Sequence, residues 1–178
     1  MLKKIDKKTM MIIGALLVFV LAATLLVFSD KIGTPGSSGS AKGGSEMIEA
    51  NAVSDEITKG IVVSQTFKCT EDSVNRVALV FNKLYSLEDM YITVELLDGN
   101  TVIVKQDINV QDIPDQHRVY AEGSTVSGLK GKELTLKIYP ASDSDTGVAL
   151  MVNDSVKSTY NFGSKKMSGS ICFSVSEN

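Results

Sequence analysis

The chain has 178 residues, of which 43% are hydrophobic, 22% charged and 6% aromatic. These values are typical of one globular domain with an added segment, and they exclude a collagen, a wholly disordered chain and a polytopic membrane protein. The formal net charge of -3 argues against nucleic acid as a partner, because binding to phosphates requires a basic surface. One His, two Cys and no Trp leave few residues for a metal site or a nucleophile–base pair, so we predict no enzyme activity, no cofactor and no metal.

An apolar run of 19 residues without a charge, from Met10 to Phe28, follows a basic flank over residues 1–9. A helix of this length spans roughly 28 Å, about the hydrocarbon thickness of a bilayer. The flank contains four lysines and one aspartate, and the positive-inside rule then puts the N-terminus in the cytoplasm and the C-terminal part outside. We therefore predict a single transmembrane helix over residues 10–28 that anchors the protein in the cell membrane.

Two other interpretations of this segment fit its sequence less well. A cleaved secretory signal has the same basic start but a shorter apolar core, and here the run continues past the small residues at 22–23 through Phe28. A type IV pilin resembles the layout of basic leader, apolar helix and β-rich head, but it needs a Glu within the apolar segment and a helix that continues from it. This run contains no acid and is followed by a Gly/Ser tract, so the uncleaved anchor is favoured.

Residues 29–59 are predicted to be a flexible linker and stalk. The tract GTPGSSGSAKGGS from Gly33 to Ser45 is rich in Gly and Ser and cannot bury a core. The following stretch, residues 46–59, has apolar residues at loose helical spacing and is interpreted as a short stalk or a helical turn. The linker therefore holds the following domain close to the membrane without a fixed orientation.

Residues 60–178 are predicted to be an extracytoplasmic β-domain, because apolar residues recur there with a period of two between turn signals. About eight short strands follow one another without a helix between them. Asp98-Gly99 closes a tight hairpin, and Pro140 ends a strand. This pattern favours an all-β, antiparallel two-sheet sandwich of jelly-roll type. The inward positions are expected to be Val77, Leu79, Phe81, Ile92, Val94, Leu96, Leu134, Leu136, Ile138, Val148, Leu150, Val152, Ile171, Phe173 and Val175.

The order of the strands GIVVSQTF, VALVF, a strand ending in LLD, and GKELTLKI resembles the galactose-binding-like jelly-roll domains found outside the membrane in bacterial envelope proteins. The resemblance covers residues 60–153 and is one of hydrophobic layout, not of a catalytic motif. It implies the jelly-roll fold and a role in the handling of surface glycans. Many sandwiches of this shape bind no sugar, so an ectodomain that contacts a partner membrane or envelope protein is the alternative.

Five residues are the candidate ligand contacts: Tyr91, Arg118, Tyr120, Lys137 and Tyr139. Sugar-binding modules stack an aromatic ring on the pyranose, and without Trp the tyrosines are the available rings. They alternate out of phase with the core positions of their strands, and Arg118 and Lys137 share that phase. We therefore predict that these residues form a small platform on an outer face of the sheet. The alternative is that these tyrosines are cross-strand packing pairs.

Cys69 and Cys172 lie near the first and last strands of a domain in a compartment that permits disulfides. A bond between them would close a loop of about 100 residues and stabilise the fold by up to roughly 4 to 5 kcal/mol in the chain-entropy model. Cys172, however, is out of phase with Ile171 and Phe173, so facing side chains require a bulge or a turn at Cys69. A disulfide and two separate thiols both remain open.

Two acidic loops have a chemical and a plain interpretation. Asp143 and Asp145 could accept Ca²⁺, but two carboxylates are too few for six to eight oxygen ligands, and Asp is a common turn residue. Asp112, Asp115 and His117 surround Pro114 and invite an acid–base interpretation, but a single His beside a proline turn is usually polar surface. The plain interpretation is preferred for both loops.

Overall fold

The structure is a computed structural model that describes residues 41–85 and 88–178. This part of the chain is all-β, with thirteen strands and one 3-10 turn at Val110–Asp112. The strands are β1 (Ala41–Gly43), β2 (Ala52–Glu56), β3 (Val63–Cys69), β4 (Val74–Lys83), β5 (Tyr91–Asp98), β6 (Thr101–Asn109), β7 (Arg118–Val126), β8 (Glu133–Pro140), β9 (Val148–Asn153), β10 (Thr159–Phe162), β11 (Lys165–Ser168), β12 (Ser170–Ile171) and β13 (Phe173–Ser176).

The alternation of apolar and polar residues explains the strands. In β8, for example, Leu134, Leu136 and Ile138 are fully buried, while Thr135 and Lys137 between them are partly exposed. Successive side chains of a strand point to opposite faces, so a period of two builds one apolar face. All fifteen predicted inward positions are buried, which confirms this part of the prediction.

The strands form one curled sheet that is antiparallel apart from the pairing of β1 with β3. Its order along the main path is β11-β10-β3-β8-β5-β6-β7-β4-β9-β12, with β13 paired to β4 and β2 paired to β9. Strand β5 lies between β6 and β8 and pairs with both, with one bulge in the ladder to β6, whereas β6 and β7 share a single pair, Val104 with Gly123. We refer to the β3–β8–β5–β6 strands and the β7–β4–β9 strands, on either side of this pair, as the two groups of strands.

The core lies inside the curl. Phe67 on β3 and Phe173 on β13 belong to strands that are far apart in the sheet order, yet their ring centroids are 4.7 Å apart with planes tilted by 60°. Both rings are buried among leucine, isoleucine and valine side chains from the two groups of strands. Tilted aromatic pairs at this distance add to the stability that apolar burial provides.

Part of the predicted linker and stalk is built into the sheet. Residues 46–59, interpreted from sequence as a stalk or helical turn, contain strand β2, which pairs with β9, and the fully buried Ile57. The backbone of Ala41–Gly43, in the Gly/Ser tract, pairs with β3. The helical interpretation was wrong. Strand β2 is stabilised by pairing with a strand about 100 residues away, and such pairing leaves no local pattern in the sequence from which it could be predicted.

Within residues 41–85 and 88–178, no helix has the length and apolar character to cross a membrane. The predicted transmembrane helix over residues 10–28 lies outside the described residues. The anchor and the side of the membrane on which the domain lies therefore stay predictions.

Candidate functional site

Tyr91 and Tyr139 lie on one outer face of the sheet, on the neighbouring strands β5 and β8. Tyr139 pairs with Thr93, which places it diagonally across from Tyr91, and diagonal neighbours are within reach of aromatic side chains. Tyr91 is 41% exposed, and Tyr139 is half-buried. Two of the three predicted tyrosines therefore form a pair on an accessible face.

Three charged side chains complete this face. Glu95 on β5 pairs with Lys105 on β6 and with Lys137 on β8, so the acid lies between two lysines across three strands. We call Tyr91, Glu95, Lys105, Lys137 and Tyr139 the tyrosine–lysine face.

Charge and hydrogen bonding link the members of this face. The Lys105 Nζ lies 3.6 Å from Glu95 Oε1. Hydrogen bonding to the Tyr139 hydroxyl raises the pKa of Lys105, and the Glu95 carboxylate raises it further. On the same face, buried Thr93, which pairs with Tyr139, donates to Asp107 Oδ1 at 2.6 Å. The face therefore offers charged donors beside the Tyr139 phenol ring, with Tyr91 further along the strand, a combination that suits a polar ligand with one apolar side.

Arg118 and Tyr120 lie elsewhere, on β7, where they pair with Val80 and Ala78 of β4. Strand β7 is three places from β8 in the sheet order, which corresponds to about 14 Å at ~4.8 Å per strand. The structure thus places Tyr91, Tyr139 and Lys137 on one face, with Tyr139 between the other two along the strands. It puts Arg118 and Tyr120 on a different part of the sheet.

The Tyr120 ring is 44% exposed and is covered on one side by the Arg76 guanidinium, 5.0 Å from the ring centroid. Arg76 Nε is buried without a hydrogen-bond partner and lies 3.9 Å from Glu122 Oε1. This arrangement is a cation–π contact that holds the ring in place. On one side, Tyr120 thus packs against a side chain of the neighbouring strand β4.

Sequence reasoning missed Glu95 and Lys105 as members of the face. A two-residue loop after Asp98 would pair Glu95 with Val104, but a bulge at Ile103 shifts the register so that Glu95 pairs with Lys105. An extra residue in one strand reverses the face of every side chain beyond it. Glu95 is in phase with Tyr91 along β5, and from this alternation its place on the face could have been predicted. The bulge that places Lys105 there leaves no such pattern in the sequence.

Cys69 and Cys172 are free thiols, both buried, which is the alternative that the sequence left open. Cys69 ends β3 and donates a hydrogen bond to the Glu71 carbonyl, while Cys172 interrupts the last strand between β12 and β13. The strand is thus interrupted at Cys172, whereas a disulfide was expected to require a bulge or a turn at Cys69. Burial raises the pKa of Cys69, and it raises that of Cys172 to about 11.

Both acidic loops are held by structural contacts. Asp143 forms an ion pair with Lys59, and Asp145 accepts the Lys59 backbone N–H. The Asp115 carboxylate accepts the Lys83 N–H, and His117 Nδ1 lies 2.7 Å from the Asp115 backbone carbonyl oxygen. In the part of the chain that the structure describes, no three His, Cys, Asp or Glu side chains are grouped as a metal ion would need.

Comparison with protein-family models, with curated proteins and with solved structures gave no match. The likeness to galactose-binding-like domains therefore rests on the hydrophobic layout and strand order of the sequence alone.

Proposed function

We propose that this protein is a non-enzymatic binding module of the bacterial cell envelope that contacts glycans through the tyrosine–lysine face. The observation that carries the proposal is the diagonal pair of Tyr91 and Tyr139 on the face that also holds Lys105 and Lys137, with Tyr139 the ring nearer to the lysines. Phenol rings present an apolar surface to a sugar ring, and the lysines donate hydrogen bonds to its hydroxyls or to acidic groups. The predicted residues Arg118 and Tyr120 are not part of this contact.

The fold that we propose is the two-sheet jelly roll. The β3–β8–β5–β6 strands would form one sheet and the β7–β4–β9 strands the other, since both groups direct their apolar residues to the same core. The single pair between β6 and β7 is the corner at which the chain passes between them.

The cellular setting is proposed from the sequence. The apolar run over residues 10–28 and its four flanking lysines would anchor the chain with the domain outside the cell. Protease added to intact cells should then remove the domain while the anchor stays in the membrane fraction. A mature protein that begins near Ala23 and is released into the medium would contradict this topology.

Binding of the purified full-length chain to a glycan array is the test of function. Once a glycan is identified, Tyr91→Ala and Tyr139→Ala should each weaken its binding by about 1 to 2 kcal/mol, about 5- to 30-fold, because stacking area is lost. Tyr120→Ala is the matched control, since it removes an equally exposed ring outside the face, and it should leave binding unchanged. Loss of binding in the Tyr120 variant, with no effect of the other two, would overturn the assignment.

Contact with a partner envelope protein is the second candidate. It is supported by Leu84 and Tyr85, adjacent residues that are 48% and 43% exposed after the end of β4. Exposed apolar side chains that lie near each other on the surface favour protein partners. If Leu84→Asp abolishes co-purification of an envelope protein while Tyr139→Ala does not, and no glycan binds, this candidate replaces the first.

A further inference from the structure

A cleft opens on the β7–β4–β9 side of the domain, away from the tyrosine–lysine face. Val80 on β4 and Met151 on β9 point outward, out of phase with the buried Phe81 and Val152. The segment of residues 47–50 passes over them, and its end is held where the Asn153 side chain donates to the Glu49 carbonyl at 2.7 Å. The covering is incomplete and leaves a cavity of about 240 Å³.

The apolar part of this cleft is adaptable. Val80 and Met151 line it from the sheet, with Cys172 beside them, and Met47 and Ile48 line it from the covering segment. Thioether side chains are flexible and polarisable, so two of them can adjust to ligands of different shape. The volume corresponds to about eight water molecules at ~30 Å³ each, the space of a short alkyl chain or a single ring.

Arg118 lies at the same cleft and supplies a positive charge. The four ion pairs of the described residues do not include it, and the residue is exposed. A guanidinium is always charged, and its planar donors match the two oxygens of a carboxylate or phosphate. Glu49 is the only acidic residue among those that line the cleft, and it opposes a bound anion.

We propose that this cleft binds a small organic acid, with the apolar body between Met47 and Met151 and the carboxylate or phosphate on Arg118. A ligand of about eight non-hydrogen atoms matches the volume of the cleft. The inference does not depend on glycan binding, because it uses none of the tyrosine–lysine face.

The test uses the full-length chain in nanodiscs of neutral lipid, with ¹³C-methyl methionine as the reporter and hexanoate as the probe. Hexanoate should shift the Met47 and Met151 resonances saturably, and the other methionines should stay unchanged. Hexanamide has the same shape without the charge and should bind about tenfold more weakly, since a charged hydrogen bond is lost.

Two variants should act in opposite directions. Arg118→Gln should weaken hexanoate binding about tenfold, and Glu49→Gln should strengthen it severalfold, because the like charge is removed. Lys130→Gln, which removes a charge from a loop outside the cleft, is the matched control and should change nothing. An unaltered β-sheet circular-dichroism spectrum shows that each variant is folded.

Three results would overturn the proposal. The first is the absence of hexanoate-dependent shifts at Met47 and Met151, and the second is equal affinity for hexanoate and hexanamide. The third comes from nanodiscs with anionic lipid: if the lipid alone shifts both methionines and hexanoate cannot compete, the occupant is a lipid headgroup and not a soluble acid. Failure of the glycan array leaves all three readouts unaffected, so the two proposals fail separately.

Discussion

The side-chain amide of Gln65 donates to Ser170 Oγ at 2.9 Å, and both residues are buried in the core. The Gln65 carbonyl also accepts the Ile171 backbone N–H at 2.8 Å, and Ser170 Oγ donates to the Ile171 carbonyl at 3.0 Å. The amide therefore ties β3 to β12 across the curl of the sheet. A buried network of this kind stabilises the fold only while each member keeps its partners.

Gln65→Leu should lower the free energy of unfolding by about 1 to 3 kcal/mol, because the Ile171 N–H would stay buried without an acceptor. Urea unfolding of the purified protein measures the change. Gln111→Leu makes the same substitution at an exposed position and should stay within about 0.5 kcal/mol of the wild type. Equal unfolding midpoints for the Gln65 variant and the wild type would show that water replaces the amide.

The periodic strands could be predicted from sequence because burial leaves a local trace. Val94 and Leu136 are flanked by more polar residues, and the Asp98-Gly99 turn fixes where β5 ends. Gln65 was in phase with Val63 and Phe67, but a single polar residue in an apolar series does not identify its partner. Ser170, 105 residues away, could not be found without the fold.

The candidate site was predictable to a smaller extent for a related reason. Alternation correctly placed Tyr91 and Tyr139 outward, but it could not say which outer faces coincide. That depends on strand order, which puts β7 and its Tyr120 three strands from β8. The bulge at Ile103 then decides that Lys105, not Val104, lies opposite Glu95.

Gly123 is required where β7 meets β6. A Cβ at this position would lie 2.6 Å from the Ile103 carbonyl oxygen, closer than backbone atoms can tolerate. Gly123→Ala should therefore push the strands apart at their single pair and cost about 1 to 3 kcal/mol of stability. The melting temperature measures this loss. Ser124→Ala, at the exposed neighbouring position, should have little effect, and similar losses in both variants would rule out this explanation.

Leu79 and Leu136 face the core from the two groups of strands, and each is buried. Leu79→Asp or Leu136→Asp would place a carboxyl group there without a partner, at a cost of several kcal/mol, and should unfold the domain. Circular dichroism and proteolysis follow the loss. Ser124→Asp introduces the same charge at an exposed site and should stay folded; a folded Leu136 variant would place that strand outside the core.

The buried thiol of Cys172 makes the stability of the fold depend on pH. Burial raises its pKa from 9.0 to about 11, so the folded state keeps the proton over a range in which the unfolded chain releases it. From about pH 9 to pH 11 the unfolded state binds fewer protons than the folded state. The free energy of unfolding must therefore fall as the pH rises through this range and stay flat with respect to this group below pH 8.

Cys172→Ala should remove part of that fall, seen as a smaller difference between the urea midpoints at pH 8 and pH 10. The change of the midpoint between the two pH values, which we call the slope, is compared because the variant also loses packing, which lowers stability at every pH. Ile171→Val provides the control: it removes a buried methylene beside Cys172 without removing a titrating group, so it should be less stable but keep the wild-type slope. If the Cys172 variant keeps that slope too, the thiol is not protected from ionisation in the folded protein. The fall above pH 9 then comes from other groups whose pKa is raised in the folded state, such as Cys69, Tyr160, Tyr85 and Lys105.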